Sequence, residues 1–219
     1  MKIFCGVLCS IFFILSSLAN AFDCTSGNLT QRTAKFKDIV QTFSFSEDCL
    51  LQNDKEKVLV MKGAGYVNLE VYWPNFLSHR TFKKLSDESQ SSGINKDSYI
   101  RAFITLSYGP TPLMISSTVD AYHSEKSHQL VREDKNYSYF IRRPKFEDKE
   151  SRSSNNTLYI TPKFRKDFWV SCMKKQCFLT GIEEKVRYEV NLQSGENLNW
   201  NDFHESMILF IREIYVGTN

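Results

Sequence analysis

The sequence has little excess charge of either sign: 28 Lys and Arg stand against 25 Asp and Glu in 219 residues. That balance is too even for the basic face that nucleic acid demands. Past residue 21 there is no apolar run near the roughly 20 residues needed to cross a bilayer, so a soluble mature chain with no membrane span is expected. Also missing is any Cys-x2-Cys pair with a histidine close by, the pattern of common zinc sites, so neither a metal site nor a cofactor is expected. Gly63-Ala64-Gly65 lacks the third glycine and the following helix of a dinucleotide fingerprint. No Gly-x-Ser-x-Gly elbow occurs to present a nucleophilic serine.

What is present begins with a leader. Met1 and Lys2 open it, Ile3–Leu18 is apolar, and Ala19-Asn20-Ala21 has the small-residue form that a signal peptidase accepts. Met1–Ala21 therefore reads as a signal peptide, followed by one disulfide-stabilised domain from Phe22 to Asn219. The leader takes two of the six cysteines and leaves Cys24, Cys49, Cys172 and Cys177. Four cysteines in an exported chain are expected to form structural disulfides. Three pairings are open. Spacing favours Cys172 with Cys177 across a four-residue hairpin loop, Met173–Gln176, which leaves Cys24 for Cys49. Closing the latter loop would restrain the unfolded chain by about 3 kcal/mol.

Leu29, Phe36, Ile39, Val40 and Phe43 recur at spacings near three and four. This predicts an amphipathic helix over residues 29–43, although Thr42–Phe45 also suits the start of a strand. Val58–Met61, the turn Gly63-Ala64-Gly65 and the alternation of Val67, Leu69, Val71 and Trp73 predict a hairpin buried on one face, ended by Pro74. Phe76–Leu85 reads as a short helix running into a polar loop, Ser86–Asn95. Ile100–Leu106 reads as a strand ended by Gly109-Pro110, and Leu113–Val119 as another. Tyr137–Ile141 and Leu158–Ile160 are extended, divided by a polar loop at Lys145–Asn156 that has little to bury. Phe168–Cys172, Cys177–Leu179 and Val186–Leu192 predict an antiparallel meander.

The last helix has the clearest signature. Asn199 suits the N-cap, Asp202 and Glu205 place acids in the first turns, and Trp200, Phe203, Met207, Phe210, Ile211 and Ile214 form one stripe. This order predicts an α+β fold: a mostly antiparallel sheet with helices packed on one face, the C-terminal helix among them.

Candidates for chemistry are thin. His123 and His128 are five apart, not the four that aims two imidazoles at one metal. Asp120, His123 and Ser124 contain the letters of a triad, but adjacency in sequence does not supply its geometry. His204 beside the apolar stripe is explained by packing or solvent contact, and His79 lies in a polar turn. Glu133-Asp134 and Glu183-Glu184 are expected in exposed turns, where nothing raises a carboxyl toward the range of a general acid. No catalytic residue is assigned. Asn28, Asn136 and Asn155 head N-glycosylation sequons, which matter only in a eukaryotic secretory pathway. Tyr137, Tyr139, Phe140, Arg142 and Arg143 gather the residue types of interface hot spots and are the candidate partner-binding residues, set against the plainer reading of an edge strand with a solvated end.

From Phe168 onward the layout is Phe168-Trp169-Val170-Ser171-Cys172, a short turn, Cys177-Phe178-Leu179, the strand Val186–Leu192, then Leu198-x-Trp200 opening the last helix. It resembles small exported bacterial immunity proteins, the periplasmic antagonists of toxins delivered by neighbouring cells. The resemblance implies a periplasmic, non-enzymatic inhibitor whose partner is a secreted toxin, with the hairpin cysteines stapling the scaffold. The alternatives are a small secreted hydrolase using His123 and Asp120, and a secreted adhesion or effector protein. Peptide mapping without reduction is expected to recover Cys172 linked to Cys177; recovery of Cys24 joined to Cys177 would overturn the hairpin assignment.

Overall fold

A computed structural model describes residues 22–51, 65–92, 96–109, 112–124, 126–143, 157–193 and 198–219. The leader, Val58–Met61, Pro110 and the expected loop Lys145–Asn156 lie outside the described residues. Eleven strands are present among those described: β1 Leu29–Phe36, β2 Ile39–Ser46, β3 Tyr66–Trp73, β4 Ile100–Tyr108, β5 His128–Glu133, β6 Tyr137–Arg142, β7 Thr157–Pro162, β8 Phe168–Met173, β9 Gln176–Glu183, β10 Val186–Gln193 and β11 Tyr215–Thr218. The helices are α1 His79–Ser92, α2 Leu113–His123 and α3 Trp200–Ile214. The large sheet runs β3-β4-β10-β9-β8-β7-β6-β5 and the small one β1-β2-β11, with every pairing antiparallel. The fold is α+β.

Strand alternation decides which side chains meet. Val67, Leu69 and Val71 of β3, Ala102, Ile104 and Leu106 of β4, Tyr188 and Val190 of β10, and Phe168 and Val170 of β8 all enter one core. The stripe of α3 and the buried Phe43 and Phe45 of β2 close that core from the other side. Phe210 stacks on Phe76 at 4.5 Å, and Phe22 meets both rings edge-on at 5.0 and 5.6 Å. After α3, β11 pairs with β2, so the C-terminus seals the small sheet.

Helices occupy both faces of the large sheet. α3 covers the core face, as its stripe demands, whereas α1 and α2 lie on the opposite one. There Phe82 of α1 stacks on Tyr72 at 3.9 Å, and Tyr122 of α2 packs against Tyr159 and Trp169 at 5.0 and 5.8 Å.

Four local expectations change. Residues 29–43 form the β1–β2 hairpin and not a helix: Leu29 faces solvent, while Gln41, Phe43 and Phe45 are buried at a period of two. The two-residue loop Lys37-Asp38 puts Lys37 at φ 53°, and Phe36 then pairs with Ile39. Leu113–Val119 is the start of α2: Leu113 is 71% exposed, and Ile115, Val119 and Tyr122 are buried at helical spacing. α1 starts at His79 and continues through Ser86–Ser92, its first turn capped by the Ser78 hydroxyl accepting the Thr81 N–H at 3.1 Å. The β8–β9 loop is two residues, Lys174-Lys175, because Met173 and Gln176 are themselves paired.

Both disulfides are closed. Cys172 and Cys177 sit directly opposite one another with Cα atoms 4.1 Å apart. Cys24–Cys49 joins two short 3₁₀ turns, Asp23–Thr25 and Glu47–Cys49, inside the core. Closed bonds indicate an oxidising, exported compartment. Among the described residues no helix is long and apolar enough to cross a membrane. Truncating Phe210 to Ala is expected to cost about 3–5 kcal/mol by urea unfolding, while Leu209→Ala, 53% exposed one residue earlier, should stay within about 0.5 kcal/mol.

Candidate functional site

One end of the molecule gathers the β7–β8 loop, the β5–β6 turn, the C-terminal half of α2 and the first turns of α3. His204 anchors it from within. Its ring is fully buried, packed on Phe168 at 4.3 Å, with Nε2 3.0 Å from Asp167 Oδ2 and Nδ1 bonded to the Tyr188 hydroxyl. A carboxylate only accepts, so Nε2 carries a proton; Nδ1 accepts from the phenol in the neutral ring and donates to it in the imidazolium. Burial drives the Tyr188 phenol well above its ordinary range, so it stays protonated. Tyr188 fits because its cross-strand partner is Gly181, whose missing Cβ would run into the phenol.

Asp167 links this buried tie to the surface. Burial by itself would raise its carboxyl, but hydrogen bonds from His204 and Arg165, together with the nearby positive charge, hold it well below the usual carboxylate range. The Arg165 guanidinium grips Asp167 with two nitrogens, its Nε 2.7 Å from Oδ1, and also pairs with Glu205 of α3. Lys166 Nζ lies 2.5 Å from Asp120 Oδ1 of α2, and Lys163 Nζ lies 3.5 Å from Glu133 of β5. The Lys163 N–H donates to the Asn136 carbonyl at 2.9 Å. Between these tethers Phe164 stands 87% exposed.

The candidate partner residues are used differently. Tyr137, Tyr139 and Phe140 are buried, which corrects the expectation that their rings are free for a partner. The Tyr137 hydroxyl accepts the Asn201 N–H at 2.8 Å and donates to Asn199 Oδ1 at 3.0 Å. It thereby caps α3, a role that Asn199 holds by position while its own side chain does not perform it. Tyr139 donates to Asp134 at 2.6 Å beneath the Arg132 guanidinium, and Phe140 packs on His123 at 4.9 Å. Arg142 is half-buried, and Arg143 Nε donates to the His128 carbonyl at 3.1 Å.

His123 bonds Thr161 Oγ1 at 2.9 Å, while Asp120 is taken by Lys166, so the hydrolase candidates spend their hydrogen bonds apart from each other. His128 bonds Ser127 Oγ at 2.9 Å, and His79 bonds the Tyr72 hydroxyl at 3.0 Å. Glu133 accepts from Ser138 at 2.8 Å, and its carboxyl is lowered by that bond. Glu183 accepts from Arg212 at 2.6 Å, and Glu184 lies in the turn after it. Asn28 and Asn136 are exposed; Asn155 lies outside the described residues. Among the described residues no group of three His, Cys, Asp or Glu side chains could hold a metal.

A polar cleft of about 400 Å³ opens beside the Cys24–Cys49 bond. Its acids are engaged: Asp23 accepts the Ser78 N–H at 2.9 Å, Asp48 faces Arg80 at 3.6 Å, and Glu47 faces Arg32 at 4.0 Å.

Sequence reasoning missed Asp167, Arg165, Tyr188 and Phe164. The available signal was Lys163-Phe164-Arg165-Lys166-Asp167, one aromatic among four charges between two strands. No family model matches the chain, and no curated protein or solved structure matches it either.

Because the native Asp167 carboxyl stays ionised to lower pH than the unfolded one, acid adds protons to the unfolded chain first. Its contribution to stability is full above the unfolded value of about 3.9 and is lost as pH falls from there toward the depressed native value. Urea midpoints between pH 6 and pH 2 should therefore fall less steeply with acid for Asp167→Asn than for the native chain, by up to one proton in linkage slope. Equal slopes would remove Asp167 from that role.

Proposed function

We propose that this exported chain works by recognition and not turnover, as an immunity-type inhibitor that neutralises a secreted toxin in the periplasm. One observation carries the choice between binder and enzyme. Each of the four histidines, the best general bases near neutral pH, spends a ring nitrogen on a structural partner: His79 on Tyr72, His123 on Thr161, His128 on Ser127, and His204 on both Tyr188 and Asp167. His204 has both ring nitrogens engaged, and His123 bonds Thr161 while Asp120 bonds Lys166, so the hydrolase pair is not assembled as a base with its orienting acid.

The scaffold supports the same reading. Two disulfides and a core shared by both sheets hold the backbone rigid, which suits a surface that binds without paying to order itself. The C-terminal layout, with its stapled hairpin and Trp200-led helix, supplies the toxin as the class of partner.

The purified product of a toxin gene adjacent to this one should bind the mature chain with a Kd below about 1 µM and lose its activity when bound. Deletion of this gene should render cells sensitive to that toxin. A neighbour-encoded toxin that does not bind, together with deletion strains that stay fully resistant, would remove the inhibitor reading.

A further inference from the structure

We propose that Phe164 is the anchor of that interface, inserting its ring into an apolar pocket of the partner protein whose rim is polar and close to neutral. The proposal rests on the recognition reading and adds where recognition takes place. A phenylalanine this exposed leaves most of its apolar surface unburied, and Phe164 is the most exposed of the large apolar side chains among the described residues. Single exposed apolar residues are ordinary; the loop that carries this one is not loose.

The residues on either side of the ring are tied to three neighbouring elements. Lys163 is held by Glu133 of β5 and by the Asn136 carbonyl, Arg165 by Asp167 and by Glu205 of α3, Lys166 by Asp120 of α2, and Asp167 by the buried His204. Lys166 and Asp120 are more than half exposed, and exposed pairs of that kind add little to stability. What the set achieves is orientation: three helices and strands agree on where the loop stands, so the aromatic is presented with little conformational entropy left to lose on binding.

The charges select the kind of partner. Three cations flank Phe164, and acids on Glu133, Asp167, Glu205 and Asp120 pair with them, so the flanking residues do not make an uncompensated basic patch that would draw an anionic membrane. An aromatic at the centre of a compensated polar ring is the arrangement of a protein hot spot, where the surrounding pairs exclude water from the buried anchor.

The test titrates the purified neighbour-encoded toxin into the native chain, Phe164→Ala, Phe164→Trp and Leu209→Ala, and separately sediments each with vesicles containing phosphatidylglycerol. Phe164→Ala should weaken toxin binding about 30-fold or more with an unchanged urea midpoint. Phe164→Trp should stay within about 5-fold of the native chain, Leu209→Ala should match it, and vesicles should retain none of them. Equal binding by Phe164→Ala would overturn the anchor while leaving recognition intact. A native chain that binds no toxin would overturn both. Vesicle retention lost in Phe164→Ala would replace the protein pocket with a lipid surface.

Discussion

The contact on which the rest depends is the burial of α3 against the core face of the large sheet. Trp200, Phe203, Met207, Phe210, Ile211 and Ile214 lose essentially all solvent there, and rings from Phe22 and Phe76 pack on Phe210 from the N-terminal side. Because β11 follows α3 directly, the same burial delivers the last strand to β2 and completes the small sheet. The disulfides act on this frame as restraints on the unfolded chain; the apolar stripe supplies the driving force.

Two polar ties fix the helix against the sheet, one from Tyr137, which reads in the sequence as a partner-binding residue, and one from His204, which reads there as a residue beside the packed stripe. Tyr137 reaches from β6 to take the Asn201 N–H, supplying the acceptor that a helix start needs when its own cap residue turns away. His204 sits on the buried face of α3 and meets Tyr188 and Asp167, which satisfies both ring nitrogens in a place where an unpaired one would be costly. Through Asp167 and Arg165 the second tie continues to the β7–β8 loop, so the placement of an exposed loop follows from core packing.

Legibility varied with how far each signal is local. The alternation in β3, β4 and β10 and the stripe of α3 could be read directly, since a period of two or of 3.6 is visible wherever one face alone is buried. The segment 29–43 misleads because Phe36, Ile39 and Phe43 fall at helical spacings of three and four, and only the Lys37-Asp38 turn, with no glycine to announce it, divides them between two paired strands. Leu113–Val119 misleads in the other direction: Leu113, Met114 and Ile115 run together, and nothing local reveals that the first two face outward while Ile115 is buried. α1 lengthened past its apolar part because helix continuation needs no further core contact once Ser78 has started it.

By itself the sequence determined the α+β class, a preference for pairing Cys172 with Cys177, and the apolar face of the last helix, because each follows from composition or from spacing within a few residues; the structure closed both disulfides. Only the tertiary structure decided that α1 and α2 take the face opposite α3, that the Tyr137–Phe140 rings go inward, and that Phe164 is left outside on a braced loop. Those outcomes depend on which strands become neighbours, and strand order is set by contacts between residues far apart in the chain.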